Sequence, residues 1–246
     1  MEELIGLRQL NKKVFDKGNG ETLYRCHVRH IHYIDPNDGL MKDIDSRLTF
    51  DNTNRVWKHN KSSYETSLPE YADGTIDFRT RFEGANFNTQ FKASSAAHIV
   101  GQYVEDSEGN YVLYTDAFGT GLDLRIYSYW KGIKKVVVAR VQPTMQQIHK
   151  FQYELLLPGG EDVLVDETTW DKNSTLNARG KRLKIKASNG KLIWFNQAMI
   201  HDSNNPPFST TLDLELNKLA NKLYIKKNVG VDIPVADLVY PVYLEL

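Results

Sequence analysis

The chain has 246 residues, 41% hydrophobic and 25% charged, which is the composition of a folded protein and not of a disordered one. Lys plus Arg and Asp plus Glu each number 31, so the formal net charge is zero, and neither nucleic acid nor an anionic membrane is an expected partner. The single cysteine, Cys26, excludes an internal disulfide and a cysteine-based zinc site. A neutral surface also gives solitary copies little charge repulsion, which fits a chain that works assembled.

In chain order, "MEELIGLRQLNKKVF" lacks the basic start and long apolar core of a secretory signal. No run approaches the ~20 apolar residues of a membrane span. The expectation is synthesis and folding in a cytoplasm, with residues 1–20 as an N-terminal arm or edge strand and 21–246 as a β-rich domain. "TLYRCHVRHIHYI" (22–34) has strand composition, with Cys26 as a small, half-buried strand residue. On that strand His30 and His32 share one face and His27 takes the other. Two imidazoles one pleat apart hold zinc only with a third ligand and with partners for their outer ring nitrogens. The sequence supplies no specific third ligand. The expectation is a solvent-facing row, closed by the turn Asp35-Pro-Asn-Asp-Gly39, with no metal and no cofactor.

Turn signals recur at short intervals: 17–20, 36–39, Asp73-Gly74, 107–110, Lys131-Gly132, Gly159-Gly160 and Asn189-Gly190. Asn189-Gly190, between "LKIKAS" and "KLIWF", has the residues that tolerate the two positive φ angles of a type I′ hairpin. Asp73-Gly74 reads as a second hairpin of the same kind. Between the turns, 111–115, 122–130, 133–141 and 151–157 are rich in aromatic and β-branched residues and read as strands. Residues 144–151 have room for one helical turn. Residues 212–227 fit a helical period through Leu212, Leu216, Leu219 and Leu223, but the alternation Leu212, Leu214, Leu216, then Leu223, Ile225 favours two strands. The polar segment 166–181 marks a possible boundary between two lobes.

"TDAFGTGLDLRIY" (115–127) has the look of a ligand loop. A phosphate cradle needs a helix after its glycines, and here a strand follows. A calcium loop needs oxygens at alternating positions, where Phe118 and Leu122 stand. What remains is a glycine-relieved turn or bulge entering a strand, with Asp123 exposed or bonded within the turn. Carboxylate pairs such as Asp43/Asp45, Asp213/Glu215 and Glu161/Asp162 carry almost no specific signal for glycoside hydrolysis. The 13 Tyr, 10 Phe and 4 Trp residues are too many to lie outside a core. A row at Tyr127, Tyr129 and Trp130 is the candidate sugar-stacking surface, weighed against a simple core face.

Many short strands with regular turns imply an all-β antiparallel sandwich, jelly-roll-like, in one body or two closely packed lobes. The stretch "YTDAFGTGLDLRIYSYWKGIKKVVVARV" resembles a β-rich module of Rhs and wall-associated repeat proteins and of tailed-phage structural proteins. Tyr114, Gly121, Asp123, Leu124, Lys134 and Lys135 carry that resemblance. "DLVYPVYLEL" (237–246) is similar to the module's closing Tyr-Pro-Val strand, and "HIHYIDPNDGLMKDID" (30–45) to the entry strand of the phage versions. The close departs from the Rhs form, which continues Ile-Asp-Pro. The resemblance implies a non-enzymatic virion protein, a capsid decoration or auxiliary component. Its implied partners are other virion proteins, in a homo-oligomer within the particle, with no catalytic residues to carry over. A tail-associated glycan-binding module is the alternative.

Overall fold

The computed structural model describes residues 1–80, 88–93, 95–129, 132–144, 151–157, 161–170, 175–187, 190, 192–219, 222–229 and 232–245. Strand composition and frequent turns give an all-β chain, and the pairings between the described strands are antiparallel. The N-terminal strands are β1 (Glu2–Glu3), β2 (Lys12–Gly18), β3 (Glu21–Cys26), β4 (His32–Ile34) and β5 (Met41–Asp43). There follow β6 (Thr49–Asp51), β7 (Val56–His59), β8 (Tyr64–Pro69), β9 (Thr75–Thr80) and β10 (Asn88–Ala93). Next come β11 (Gln102–Asp106), β12 (Gly109–Tyr114), β13 (Leu122–Tyr129), β14 (Gly132–Ala139) and β15 (Phe151–Leu156). The chain continues with β16 (Asp162–Val165), β17 (Thr168–Thr169), β18 (Leu176–Asn177), β19 (Leu183–Lys186) and β20 (Leu192–Phe195). It closes with β21 (Met199–His201), β22 (Ser209–Thr211), β23 (Asp213–Leu219), β24 (Lys222–Asn228) and β25 (Val242–Glu245).

Two large sheets enclose the main core. One has the order β18-β23-β24-β15-β10-β9-β8-β7-β6, the other β11-β12-β13-β14-β25-β21-β22. Period-two alternation sends Leu68, Phe91, Tyr153 and Ile225 from the first, and Val112, Leu124, Val137 and Leu244 from the second, into one continuous hydrophobic cluster. A four-stranded sheet, β17-β16-β19-β20, adds Val163, Val165, Leu183 and Ile185 to the same cluster. The segment 166–181 therefore gives one strand to the small sheet and one to the edge of the nine-stranded sheet, while Trp170 and Ala178 join the shared core.

Tyr64 ties the large sheets together. Its hydroxyl, carried on β8, lies 2.6 Å from the Tyr129 carbonyl and 2.8 Å from that of Gly132, at the corner between β13 and β14. Ser128 Oγ stands 3.1 Å away and completes the site. A buried phenol needs such partners, because an unpaired hydroxyl in a core costs ~1–3 kcal/mol.

Residues 212–227 are the expected strand pair: β23 and β24 run in register from Asp213↔Asn228 to Leu219↔Lys222. Between "LKIKAS" and "KLIWF", β19 and β20 pair as a hairpin with Gly190 at φ +81°. Asn189 lies outside the described residues, as do 145–150, where a helical turn was expected, Lys131 and Gly159-Gly160. Asp73-Gly74 is not a type I′ turn, since neither residue has positive φ. The β8–β9 connection is longer because Tyr71 bridges to Val100 and stacks on His98, which also contacts Asp73 at 3.0 Å. These tertiary contacts open the hairpin.

Candidate functional site

The Gly-x-Gly loop is a partly buried, internally bonded corner. Asp116 has φ +59°, Gly119 +112° and Gly121 +81°, so three left-handed residues turn the chain into β13. The Asp116 N–H donates to Asp123 Oδ1 (2.9 Å), and the Gly121 N–H donates to Asp116 Oδ1 (2.7 Å). Arg140 bonds both carboxylates, with Nε 3.0 Å from Asp123 Oδ2. Asp123 is buried and turn-bonded, one of its two expected fates, and both aspartates spend their lone pairs on the loop and on β14's continuation.

The expected histidine row does not form. The chain leaves β3 at Cys26, bends through 27–31 and re-enters a strand only at His32. The cause is the segment before β2: Leu10 accepts from the His32 N–H and Asn11 from the His27 N–H, which pulls the backbone out of a straight ladder. His32 is fully buried, contrary to a solvent-facing position. Its Nδ1–H donates to the Gln9 carbonyl (2.7 Å), and Nε2 lies 3.3 Å from Asp43 Oδ1. Cys26, expected half-buried, is exposed. Among the described residues no three His, Cys, Asp or Glu side chains converge as metal ligands.

Asp43, Asp45 and Asp213 of the carboxylate pairs are taken up by cations. Asp43 is 2.7 Å from Lys13 Nζ and 3.3 Å from Arg8, while Asp45 is 2.8 Å from Arg47. The Arg47 bond pulls the Asp45 carboxyl down to about 2. Asp213 faces Arg179 at 3.4 Å, and Glu161 and Asp162 stand side by side on opposite phases, one buried and one exposed.

Tyr127 and Tyr129 lie on the outer face of the seven-stranded sheet with Tyr111, Val136 and Val138, in a second apolar cluster. Their rings are parallel within 6° at 5.7 Å. Tyr127 is only 4% exposed, and its hydroxyl donates to Glu108 (2.8 Å), which Arg125 also meets at 3.0 Å. Burial drives the Tyr127 phenol pKa upward. A sugar needs an open ring face, and Tyr127 does not offer one; Tyr129 is half-buried and Trp130 lies outside the described residues. An open groove of about 700 Å³ crosses β7–β10, walled by Lys58, Glu65, Ser67, Asp77, Arg79 and Gln90. Its polar groups pair locally: Gln90 donates to Asp77 (2.8 Å), and Lys58 is bonded to Asp51.

Two features carry no sequence motif. Lys135 on β14 and Lys227 on β24 point into the main core from opposite sheets. Both ammonium positions lie over the Tyr153 ring, at 5.2 and 5.0 Å, and Lys135 also lies 4.4 Å from the centre of Phe91. Desolvation lowers the Lys135 amine to about 8, and burial reinforced by the charge of Lys135 carries Lys227 well below its ordinary value. Lys227 Nζ and the Tyr153 hydroxyl have no hydrogen-bond partner among the described residues. The sequence signal was the phase: Lys135 continues Ile133 toward Val137, and Lys227 continues Leu223 and Ile225.

The second feature is the N-terminal module. Its three-stranded sheet β1-β2-β3 and the hairpin β4–β5 bury Val14, His32, Tyr33 and Asp35, whereas Ile5, Leu7, Tyr24, Val28, Ile34 and Leu40 are exposed. Ion pairs of Asp43 with Arg8 (3.3 Å) and Lys13 (2.7 Å) join sheet to hairpin. Large apolar side chains gathered on a part with so small a core are what a docking surface looks like. No family model, curated protein or solved structure matches the chain.

Proposed function

We propose that this chain is a non-enzymatic structural component of a tailed-bacteriophage particle, a decoration or auxiliary protein of the capsid that acts by surface contact with other virion proteins. The observation that carries the contact role is the N-terminal module, which presents exposed Ile5, Leu7, Tyr24, Val28, Ile34 and Leu40 around four buried residues. Such a module gains most of its apolar burial only against another surface. The phage assignment rests on the sequence resemblance. It is supported by the way two of the three resembling segments, far apart in sequence, meet in space: β14 pairs with β25 from Val136↔Glu245 to Ala139↔Val242.

In this reading the sandwich is a rigid body and the N-terminal module is the attachment. The sandwich's side-chain chemistry is spent on internal ion pairs and turn bonds, as at Asp116, Asp123 and Arg140. The test is to purify particles of the phage that encodes the chain, identify their proteins by mass spectrometry, and measure binding of the isolated protein to empty capsids. Co-purification at a fixed copy number and saturable capsid binding are expected. A protein found only in the soluble lysate, and indifferent to heads and tails alike, overturns the proposal.

A further inference from the structure

We propose that two copies of this chain associate through the outer edge of β3, in a two-fold antiparallel pairing centred on Leu23. The inference stands whether or not the chain is a virion component. Among the described residues β3 has a neighbour on one side only, β2, and five of its six residues are exposed, Leu23 being the exception. The His27 N–H donates to Asn11 on the β2 side, so by alternation the odd positions of β3 face β2. Thr22, Tyr24 and Cys26 therefore direct their N–H and C=O groups to the free edge. Such an edge is a template for another strand.

The side chains select both the occupant and the register. β3 reads Glu21-Thr-Leu-Tyr-Arg25, with opposite charges two positions either side of Leu23. Placing Leu23 opposite Leu23 of a second copy sets Glu21 against Arg25 of that copy, and Arg25 against its Glu21. The same register makes Thr22 and Tyr24 the hydrogen-bonded pairs, which are the positions whose backbone groups point outward. Opposite charges facing each other across strands stabilise by ~0.2–1 kcal/mol per pair, and like charges there destabilise. Sliding the partner by one hydrogen-bonded step sets Leu23 against Arg25 or Glu21 and loses both charge pairs. A strand of this sequence is complementary to itself, so a second copy is the fitting partner.

A six-residue pair by itself lies below the ~1,200 Å² of a stable interface. Exposed Tyr24, at 58%, enlarges the contact. The expected species is a concentration-dependent dimer. Sedimentation velocity on the full chain, from about 1 to 100 micromolar, should show the mass rising from one copy to two. E21R and R25E, both at exposed positions, should each weaken the dimer tenfold or more, and the double variant E21R/R25E should restore it. The lone native cysteine provides a ruler: in this register Cys26 lies six residues from its symmetry mate, about 20 Å along the strands. Pulsed EPR with a spin label on Cys26 should report that separation, against about 13 or 26 Å for the two neighbouring registers. A chain that stays monomeric throughout, or a dimer indifferent to the charge reversals, overturns the inference.

Discussion

Replacing Lys135 by methionine should stabilise this protein. The side chain enters the core from β14; among the described residues, the groups it meets are the rings of Phe91 and Tyr153 and the amine of Lys227. Its folded-state value of about 8, against an ordinary 10.5, corresponds to about 3 kcal/mol of lost stability at neutral pH. The two rings return part of this, since a desolvated cation over an aromatic face is worth ~2 kcal/mol. Lys135→Met fills the same volume without a charge, so the expected gain at pH 7.5 is about 1–3 kcal/mol. The sign in pH follows from linkage. Between the folded value and 10.5 the unfolded chain binds the proton and the folded chain does not, so the wild type grows more stable as pH rises. For Lys135 alone the rise from pH 7.5 to 9.5 is about 2 kcal/mol. Lys227 contributes with the same sign from a lower starting pH. Buried Tyr64, Tyr114 and Tyr153, whose phenols are pushed upward, act oppositely above pH 10, so the measurement belongs below that value. Urea unfolding of both proteins at fixed ionic strength across pH 7.5–9.5 gives the comparison. A methionine variant that is less stable, or that keeps the wild-type slope, refutes the reasoning.

Tyr64→Phe removes the hydroxyl that reaches the Tyr129 and Gly132 carbonyls, and should cost ~1–3 kcal/mol in urea unfolding while leaving the circular dichroism spectrum unchanged. Gly121→Ala places a Cβ 2.6 Å from Val141 Cγ2 at a φ of +81°, and should cost ~1–3 kcal/mol. Adding Val141→Ala should recover the steric part only, which a thermal melt of the double variant would show. Asp43→Asn removes the charge that meets Lys13 and Arg8, and should speed limited proteolysis within residues 1–43 without changing the unfolding of the sandwich.

The sheets were legible where alternation alone decides the outcome. Leu212, Leu214, Leu216, Leu223 and Ile225 are all buried along β23, β24 and the approach to them, as a period of two requires. The His27–His32 segment was illegible because its bend is imposed by hydrogen bonds to Leu10 and Asn11, which no local pattern announces. The same holds for Asp73-Gly74, whose turn chemistry yields to the Tyr71–His98 stack. Lys135 and Lys227 were legible in phase but not in kind, since lysine is ordinarily read as a solvent residue whatever its position in the alternation. Tyr127 reversed the usual inference: an outer-face tyrosine became buried because Tyr111, Tyr129 and Arg125 close over it.

The N-terminal module bears most directly on function, and energetics says why. Its ion pairs, among them Arg8–Glu3, Lys13–Asp43 and Lys42–Asp35 at 2.7 Å, are partly exposed, and such pairs contribute ~0–1 kcal/mol each. Of the three, Lys13–Asp43 spans sheet and hairpin, and it sets their geometry more than it holds them together. Two buried apolar side chains, Val14 and Tyr33, supply at most a few kcal/mol of hydrophobic stabilisation. Ordering some forty residues costs far more than that. Backbone pairing at Asp45↔Lys61 and the Asn110–Ser46 hydrogen bond at 3.1 Å fasten its C-terminal end to the sandwich. The balance shifts once Tyr24, Val28 and their neighbours lose water to a second surface, at about 25 cal/mol per Å². A protein built this way is most ordered when assembled, and its N-terminal amides should therefore exchange with deuterium more slowly as its concentration is raised, while those of β13 and β14 stay unchanged.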